Sequence, residues 1–240
     1  MNGVGVVAAL AAEARAWGPA VRRIGDVSCL SNGSLLAVSG VGAAAAEAAA
    51  ATLIEAGASA LMSFGLAGGL DPALPAGSMV FPSEVIAGDG TGFLTSMEWR
   101  DRLNVAVQGL GPVCTGKLLT SAQAIDTVAA KAAAFRQTGA VAVDMESRAI
   151  ARVAAAHRVP FVALRVIVDT AADALPRAVV AASSIGQVRI WRLLGSIALA
   201  PAELGALIRL AGRYRTATRR LAAVARAALP VRHERQVSAA

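Results

Sequence analysis

The chain has 240 residues, of which 56% are hydrophobic and 16% are charged. It is long enough to bury a sizeable core without disulfides, and its composition excludes a disordered or collagen-like chain. The two cysteines, Cys29 and Cys114, have neither CxxC spacing nor a nearby histidine, so neither a zinc site nor a disulfide framework is predicted. The first residues lack the basic start of a secretory signal, and no apolar run reaches the roughly 20 residues of a membrane span. We therefore expect a folded cytoplasmic protein.

The net charge of +7 is concentrated at one end of the chain. Residues 201–240 contain eight arginines and two glutamates, a balance of +6, whereas residues 1–200 together carry about +1. An electrostatic argument for nucleic-acid binding by the whole protein therefore fails. We expect residues 1–200 to form the main domain and residues 201–240 to form a basic helical extension of that same domain.

The first 170 residues alternate apolar runs with helical patterns. Seven runs bounded by glycine or proline predict β-strands, at residues 4–10, 34–40, 60–66, 77–87, 116–121, 140–145 and 159–169. Periodic patterns predict helices at residues 43–57, 122–139 and 146–159. Because the strands are continuously apolar, they fit a sheet that is buried on both faces. The predicted fold is α/β, with a mixed, largely parallel central sheet flanked by helices.

The segment after residue 171 lacks strand patterns and contains a predicted helix over residues 202–229. Its apolar residues, among them Leu210, Tyr214 and Leu221, fall on one side, with arginines on both flanks. Such a helix packs on the domain with a solvated charged face, or lies on an anionic membrane. A protein or nucleic-acid partner is the third interpretation, and the sequence leaves the choice open.

Two glycine-rich segments follow predicted strands. Residues 39–48, SGVGAAAAEA, have a GxGxxA-like spacing, but no acidic residue ends a second strand about 20 residues later, as a dinucleotide site requires. This segment predicts a tight strand-to-helix turn. Farther on, Ala67, Gly68 and Gly69 predict a turn whose backbone N–H groups could meet a ligand, the alternative being glycines that serve only the bend.

Carboxylates stand at the ends of several predicted strands. Glu13 follows the first strand, Asp144 and Glu146 flank Met145 after another, and Asp169 closes the last. A doubly wound sheet collects ligands outside the carboxyl ends of its strands. Each of these side chains alone could be a helix cap or a solvated group. Together they predict a site at one edge of the sheet.

A family resemblance enters with these residues. Residues 142–169, AVDMESRAIARVAAAHRVPFVALRVIVD, resemble the signature of the purine nucleoside phosphorylase and nucleosidase superfamily. Residues 4–14, 39–53 and 64–80 resemble, in the same order, segments of its methylthioadenosine/S-adenosylhomocysteine nucleosidase branch. The resemblance implies a nucleoside phosphorylase fold and an enzyme that cleaves the N-glycosidic bond of a purine nucleoside.

The resemblance also implies roles for individual residues. Glu13 falls where the branch places the carboxylate that activates water, and Asp169 where it places the acid that protonates purine N7. The positions that bind the substrate are Ala67, Gly68, Ile125, Asp144, Met145 and Glu146. Among these, Met145 and Glu146 fall on the ribose contacts and Ile125 on a base contact. An acid at Asp169 needs a raised pKa, which the apolar run before it favours through burial.

Three departures from the pattern concern the base. Val168 replaces a serine before the acid, Leu66 replaces a serine before the Ala-Gly-Gly segment, and Ala124 stands where an aromatic residue stacks on the base. The first departure removes a hydrogen-bond partner of Asp169. The others leave a roomier, less polar base site.

Residues 88–103 and 164–176 and the arginine-rich C-terminus resemble a narrower group, the hopanoid-associated phosphorylases. That group is assigned to adenine release from adenosylhopane, a nucleoside with a pentacyclic lipid on its 5′ carbon. The resemblance implies a lipid-linked nucleoside as substrate and a homodimer, with no metal and no organic cofactor. It would also give the basic helix a role at the inner membrane, where the protein would bind peripherally.

The attacking group is water or phosphate. Glu13 would repel an incoming phosphate, which favours hydrolysis, whereas Arg15, Arg165 or an arginine of a neighbouring subunit could bind phosphate as a co-substrate. Two other functions remain as alternatives: a nucleosidase for methylthioadenosine or S-adenosylhomocysteine, and a non-catalytic nucleoside- or membrane-binding protein. The presence of Glu13, Glu146 and Asp169 together argues against the last.

Overall fold

The computed structural model describes residues 3–18, 24–176 and 204–228. Its strands are β1 Val4–Ala8, β2 Val27–Cys29, β3 Leu35–Val38, β4 Ala60–Gly69, β5 Met79–Val80, β6 Glu84–Ile86, β7 Gly92–Leu94, β8 Val113–Cys114, β9 Lys117–Thr120, β10 Ala140–Asp144 and β11 Phe161–Asp169. Its helices are α1 Ala11–Ala14, α2 Ala43–Glu55, α3 Met97–Ala106, α4 Val128–Thr138, α5 Ser147–Ala156 and α6 Leu204–Ala228, and a 3₁₀ turn covers Arg15–Trp17.

The strands form one mixed sheet, in which the main path is β2-β3-β1-β4-β10-β9-β6-β7. Strand β11 lies beside β4, β5 pairs with β11, and β8 pairs with β5. Strand β4 is parallel to both β1 and β11, whereas β10 meets its last residues in the antiparallel direction. The predicted α/β architecture, a mixed and largely parallel sheet flanked by helices, is therefore confirmed.

The central strands are buried on both faces, as their continuous apolar sequences predict. In β11, Val162, Leu164 and Val166 belong to one core cluster, while Ala163 and Ile167 belong to the other. Helices α2 and α5 cover the second face, and α3 and α6 cover the first. Because successive residues of a strand point to opposite faces of the sheet, each continuous apolar run contributes side chains to both core clusters.

The structure corrects three predicted elements. The strand predicted over residues 77–87 is two strands, β5 and β6, separated by a segment that contains Pro82. The helix predicted from residue 122 begins at Val128, where the Thr127 side chain accepts a hydrogen bond from Ala130 N at 3.1 Å. The turn predicted at residues 67–69 is wrong, because β4 continues through Gly69 and pairs Gly68 with Val143.

Helix α6 packs into the same core as the sheet. Ala217, Leu221, Val224 and Ala225 are buried in the cluster that also contains Phe64. The boundary predicted at residue 200 lies outside the described residues and stays a prediction. No helix in the described ranges is long and apolar enough to cross a membrane.

Candidate active site

Glu13 lies in α1, directly after β1, and its carboxylate is held against β4. Leu10 N–H donates to Oε2 at 2.9 Å, and Leu66 N–H donates to Oε1 at 2.8 Å. A Cβ on Gly65 would lie 2.6 Å from Oε1, so only glycine leaves room for the carboxylate. Burial raises the pKa of Glu13, and the charge of Arg165 and the backbone donors oppose the rise.

A buried ion pair lies beside Glu13. Arg165 Nε and Nη2 donate to Asp144 Oδ2 at 3.0 and 2.7 Å. Nη2 also contacts Ser63 Oγ at 2.6 Å and Ser147 Oγ at 3.0 Å. Thr120 Oγ1 donates to Asp144 Oδ1 at 2.8 Å. These protein contacts use the polar groups of the pair and hold it in place, in accord with the rule that buried charges are paired and hydrogen-bonded.

This network contains two residues that the sequence offered as ligands, Asp144 for the substrate and Arg165 for phosphate. Asp144, expected to bind substrate, accepts protein hydrogen bonds at both oxygens: Oδ2 from Arg165 and from Ser147 N–H at 3.1 Å, and Oδ1 from Thr120. Arg165, considered as a phosphate ligand, donates to Asp144 and the two serines instead. Arg15, the other candidate of this chain, is exposed. The substrate-binding role of Asp144 stays a prediction.

Glu146 follows β10 and is buried at the start of α5. Gly42 N–H donates to its Oε1 at 2.8 Å, and Met145 N–H contacts Oε2 at 3.3 Å. The glycine-rich segment after β3 thus holds a carboxylate of the protein. Burial and the neighbouring Asp144 raise the pKa of Glu146 to about 7, while Arg165 opposes the rise. Its carboxyl group therefore titrates near neutral pH.

Asp169 stands at the end of β11, beside a β-bulge. Ile167 pairs with Ala67 and Asp169 pairs with Gly68, so Val168 is an extra residue in the ladder. Such a bulge redirects the side chain that follows it. A Cβ on Gly68 would lie 3.2 Å from Asp169 Oδ2, which explains why a glycine faces the carboxylate. The bulge and the glycine together place the Asp169 carboxylate against β4.

Lys131 completes the environment of Asp169. Its side chain is fully buried in α4 and forms an ion pair with Asp169 Oδ2. Its ammonium also donates to the carbonyl oxygens of Thr170 and Asp173 at 2.8 and 2.9 Å. Burial raises the pKa of Asp169, and the ammonium of Lys131 opposes that rise. Lys131 thus gives Asp169 a side-chain hydrogen-bond partner, which the apolar Val168 cannot provide.

The remaining candidates surround these carboxylates. Ala67 is buried, and Met145 is half-buried beside Glu146. Ile125 is half-buried in the loop before α4 and packs against the small core cluster that contains Leu119 and Val143. Helix α6 contributes Tyr214, whose pKa is raised by burial and by the charge of Glu13. The C-terminal helix therefore reaches the site.

An apolar groove of about 680 Å³ opens beside the residues that follow Asp169. It is lined by Leu70, Pro72, Ala73, Leu74, Pro75, Val128, Ala132, Phe135, Arg136, Thr170, Ala171 and Ala172. Neither Glu13 nor Glu146 lines it. Within the described part of the chain, no group of three His, Cys, Asp or Glu side chains could hold a metal ion.

The amino-acid sequence of the chain matches a known protein family. Residues 23–192 match the Phosphorylase superfamily. The chain belongs to this superfamily. The superfamily resemblance is thereby confirmed, and the enzyme class is nucleosidase or nucleoside phosphorylase. No curated protein matches the chain.

Solved structures share the fold at low sequence identity. The 5′-methylthioadenosine/S-adenosylhomocysteine nucleosidase of Neisseria meningitidis, in complex with methylthio-immucillin-A, is 20% identical with a TM-score of 0.68, over 96% of this chain and 99% of that chain. The corresponding nucleosidase of Campylobacter jejuni is 18% identical with a TM-score of 0.63, over 81% and 99%. A futalosine hydrolase mutant of Helicobacter pylori is 16% identical with a TM-score of 0.68, over 95% and 98%.

Sequence reasoning missed Lys131 and the packing of the Tyr214-bearing helix against α1. Lys131 stands in an alanine-rich helix and is one of only two lysines in the chain. A lone lysine among apolar residues is a weak signal, because most lysines remain in solvent. Tyr214 was expected on the apolar side of the terminal helix, and nothing in the sequence indicates that this side faces Glu13.

Proposed function

We propose that the chain hydrolyses the N-glycosidic bond of an adenine nucleoside that carries a large apolar 5′ substituent, adenosylhopane, and releases adenine. The observation that carries the cleavage is the set of three buried carboxylates around β4, Glu13, Glu146 and Asp169. Each is held by its own donors, and burial raises the pKa of each. Acid and base work on one bond needs carboxyl groups of this kind.

The reaction assigns one task to each carboxyl group. Asp169 transfers its proton to N7 of the purine while the bond between C1′ and N9 breaks. Glu146 accepts hydrogen bonds from the ribose hydroxyls and holds the sugar as positive charge develops on it. Glu13 takes a proton from the water whose oxygen bonds to C1′. Adenine and the free sugar leave, Glu13 releases to solvent the proton that it took from water, and Asp169 regains a proton from solvent.

Water is favoured over phosphate as the attacking group. Glu13 places a buried carboxylate beside the nucleophile, and Arg165 donates from Nε and Nη2 to Asp144, Ser63 and Ser147. A phosphate dianion needs cationic or N–H ligands and is repelled by a carboxylate. Glu13→Gln should therefore lower turnover by about 10²- to 10⁴-fold, the contribution of a positioned base. Turnover that stays high in this variant and depends on added phosphate would identify a phosphorylase.

The lipid-bearing substrate and peripheral binding to the cytoplasmic face of an anionic membrane are supported by α6. Arg209, Arg215, Arg219 and Arg226 are exposed on this helix, and Ile208 is 64% exposed. Basic side chains and an exposed apolar residue fit an anionic lipid surface. The same helix packs against α1, which carries Glu13. A substrate delivered from the membrane would therefore meet the helix that borders the site.

A homodimer is part of this proposal. It rests on the family resemblance, and exposed apolar residues at the end of β7 and on α3 are compatible with it, since Leu94, Met97 and Val105 are 79%, 63% and 65% exposed. Sedimentation equilibrium of the purified chain measures the state directly. A mass of one chain at micromolar concentration would contradict the dimer without affecting the proposed reaction.

Adenine release from adenosylhopane in liposomes, with and without phosphate, tests the function. Methylthioadenosine is the comparison substrate, because the alternative function is that of the nucleosidases that share this fold. Release from the lipid substrate alone supports the proposal, and release chiefly from methylthioadenosine supports the alternative. Asp169→Asn should abolish release, whereas Asp101→Asn, at a 63% exposed side chain, should not.

A further inference from the structure

The proposed reaction uses three carboxyl groups. Among the described residues, the buried ammonium of Lys131 has no role in it yet. We propose that Lys131 is a positioning residue for Asp169, whose ammonium stabilises the carboxylate that remains after Asp169 gives its proton to the base. This inference rests on the proposed function. Lys131 acts through Asp169 and does not itself contact the substrate.

The contacts of Lys131 match the donor pattern of an ammonium. An ammonium has three N–H donors and no acceptor. The structure places three acceptors around Nζ: the Asp169 carboxylate and the carbonyl oxygens of Thr170 and Asp173. A neutral amine would turn a lone pair toward one of these oxygens. The geometry therefore fits a buried ammonium, which persists only with such partners.

The contacts also distinguish the two oxygens of Asp169. Lys131 donates to Oδ2, so this oxygen acts as an acceptor. The proton that Asp169 transfers to the purine therefore belongs on Oδ1. Lys131 thus fixes the orientation of the carboxyl group as well as its charge.

The charged groups around Asp169 come from three parts of the fold. Lys131 faces it from α4, and Asp173 faces it from the turn after β11. The Oδ2 atom of Asp173 pairs with Arg213 of α6 and accepts hydrogen bonds from Thr170 N and Oγ1, at 2.8 and 2.6 Å. Asp173 is thereby neutralised by Arg213, which leaves Lys131 as the dominant charge on the acid.

The energetic consequence is a stronger acid. Burial favours the neutral form of Asp169, which keeps its proton available, but burial also penalises the carboxylate that forms as the proton leaves. The ammonium of Lys131 offsets that penalty at the moment of transfer. A purely structural lysine would anchor the turn of Thr170 and Asp173 and would leave the pH dependence unchanged.

Neutral variants of Lys131 test the difference. In Lys131→Met and Lys131→Gln we expect kcat to fall about 10²-fold, near the lower end of what a positioned acid contributes, with KM unchanged. The acid must be protonated, and loss of the ammonium raises the pKa of Asp169, so the alkaline limb of the kcat profile should move to higher pH. Lys131→Arg keeps the charge and should keep the limb in place. Lys117→Met, at the other lysine, which is exposed and pairs with Glu84, is the matched control.

A second measurement does not depend on substrate. Carbon-13 NMR of labelled aspartate follows each carboxyl group with pH, and the resonance lost in Asp169→Asn identifies Asp169. Its titration should move to higher pH in Lys131→Gln and Lys131→Met. If only one of the two variants folds, that variant is sufficient for the test. An unmoved titration and an unmoved alkaline limb would overturn the inference. If the wild type cleaves no adenine nucleoside, the proposed function fails, while the NMR titration still decides whether Lys131 controls the acid.

Discussion

Two glycines of β4 determine where two carboxylates can lie. Gly65 leaves space for Glu13, and Gly68 leaves space for Asp169, because a Cβ at either position would press on a carboxylate oxygen. Strand β4 therefore lies at the centre of the sheet and also contacts two carboxylates of the site. At the residue scale, the site depends as much on missing side chains as on the acids themselves.

Gly65→Ala should displace Glu13, since the new Cβ would lie 2.6 Å from Oε1. We expect turnover to fall by about 10²-fold and stability by about 1–3 kcal/mol, the usual cost of overpacking. Steady-state kinetics and urea denaturation measure the two effects. Gly88→Ala is the control, because a Cβ there has no atom within 4 Å. Full activity in Gly65→Ala would show that Glu13 is not the base.

Glu146 makes stability depend on pH. Its pKa is raised from 4.5 to about 7 in the folded protein, so its stabilising contribution is present below pH 4.5 and is lost as pH rises through 7. Glu146→Gln keeps an acceptor for Gly42 N–H and removes the charge. At pH 8 we expect this variant to be up to about 3 kcal/mol more stable than the wild type, while ribose binding is lost.

Thermal denaturation from pH 4 to pH 8 measures this difference. The two proteins should have similar stability at pH 4 and diverge as the pH rises. Glu47→Gln, at a solvent-exposed glutamate that pairs with Arg152, should give no such divergence. Parallel curves for wild type and Glu146→Gln would mean that the carboxylate of Glu146 is not destabilised by its surroundings.

At the scale of elements, the site is assembled where strands of different direction meet. Strand β11 runs parallel to β4 and delivers Asp169, whereas β10 meets the end of β4 antiparallel and delivers Asp144 and Glu146. The Arg165–Asp144 pair ties β11 to β10 at this junction. Helix α6 closes the same region by packing on β11.

Helix α6 should contribute substantially to the stability of the domain. Leu221 is fully buried in the main core, so Leu221→Ala should lower the free energy of unfolding by about 2–5 kcal/mol. Ile208→Ala, on the same helix but 64% exposed, should change it by less than about 0.5 kcal/mol. Urea denaturation compares the two variants. Equal effects would mean that α6 does not pack as the structure describes.

At the scale of the whole molecule, the net positive charge is concentrated at the C-terminal end of the chain. The first 200 residues are nearly neutral, and the exposed arginines of α6 lie on the helix that also carries Tyr214. This arrangement lets an anionic surface attract the protein through one helix without a strong field over the rest of the domain.

Replacement of Arg209, Arg215 and Arg219 by glutamine should weaken binding to anionic vesicles by about 10²-fold, given about 1 kcal/mol for each arginine near the surface. Sedimentation with vesicles of anionic lipid, beside vesicles of neutral lipid, measures the effect. Cleavage of a soluble nucleoside by the variant should be unchanged. Equal sedimentation of the variant and the wild type would remove the helix from the membrane proposal.

Much of the fold and part of the site could be predicted from local pattern. The apolar runs of β1, β4, β10 and β11 predict strands, and the acids Glu13, Glu146 and Asp169 stand at or just after the ends of β1, β10 and β11. The extension of β4 through Gly69 was missed, because consecutive glycines are typical of a turn and only pairing with β10 and β11 keeps them in a strand.

The sequence by itself determined the α/β class, the order of the main strands and the superfamily, and it singled out the acids of the candidate site, since periodicity and local motifs carry that information. The tertiary structure alone decided which charges are paired. Lys131 meets Asp169 across 38 residues, and Arg165 meets Asp144 across 21, through strands and helices whose contacts no local pattern encodes. A buried charge depends on acceptors from distant segments, so the tasks of Lys131, Asp144 and Arg165 follow from the packing of the sheet.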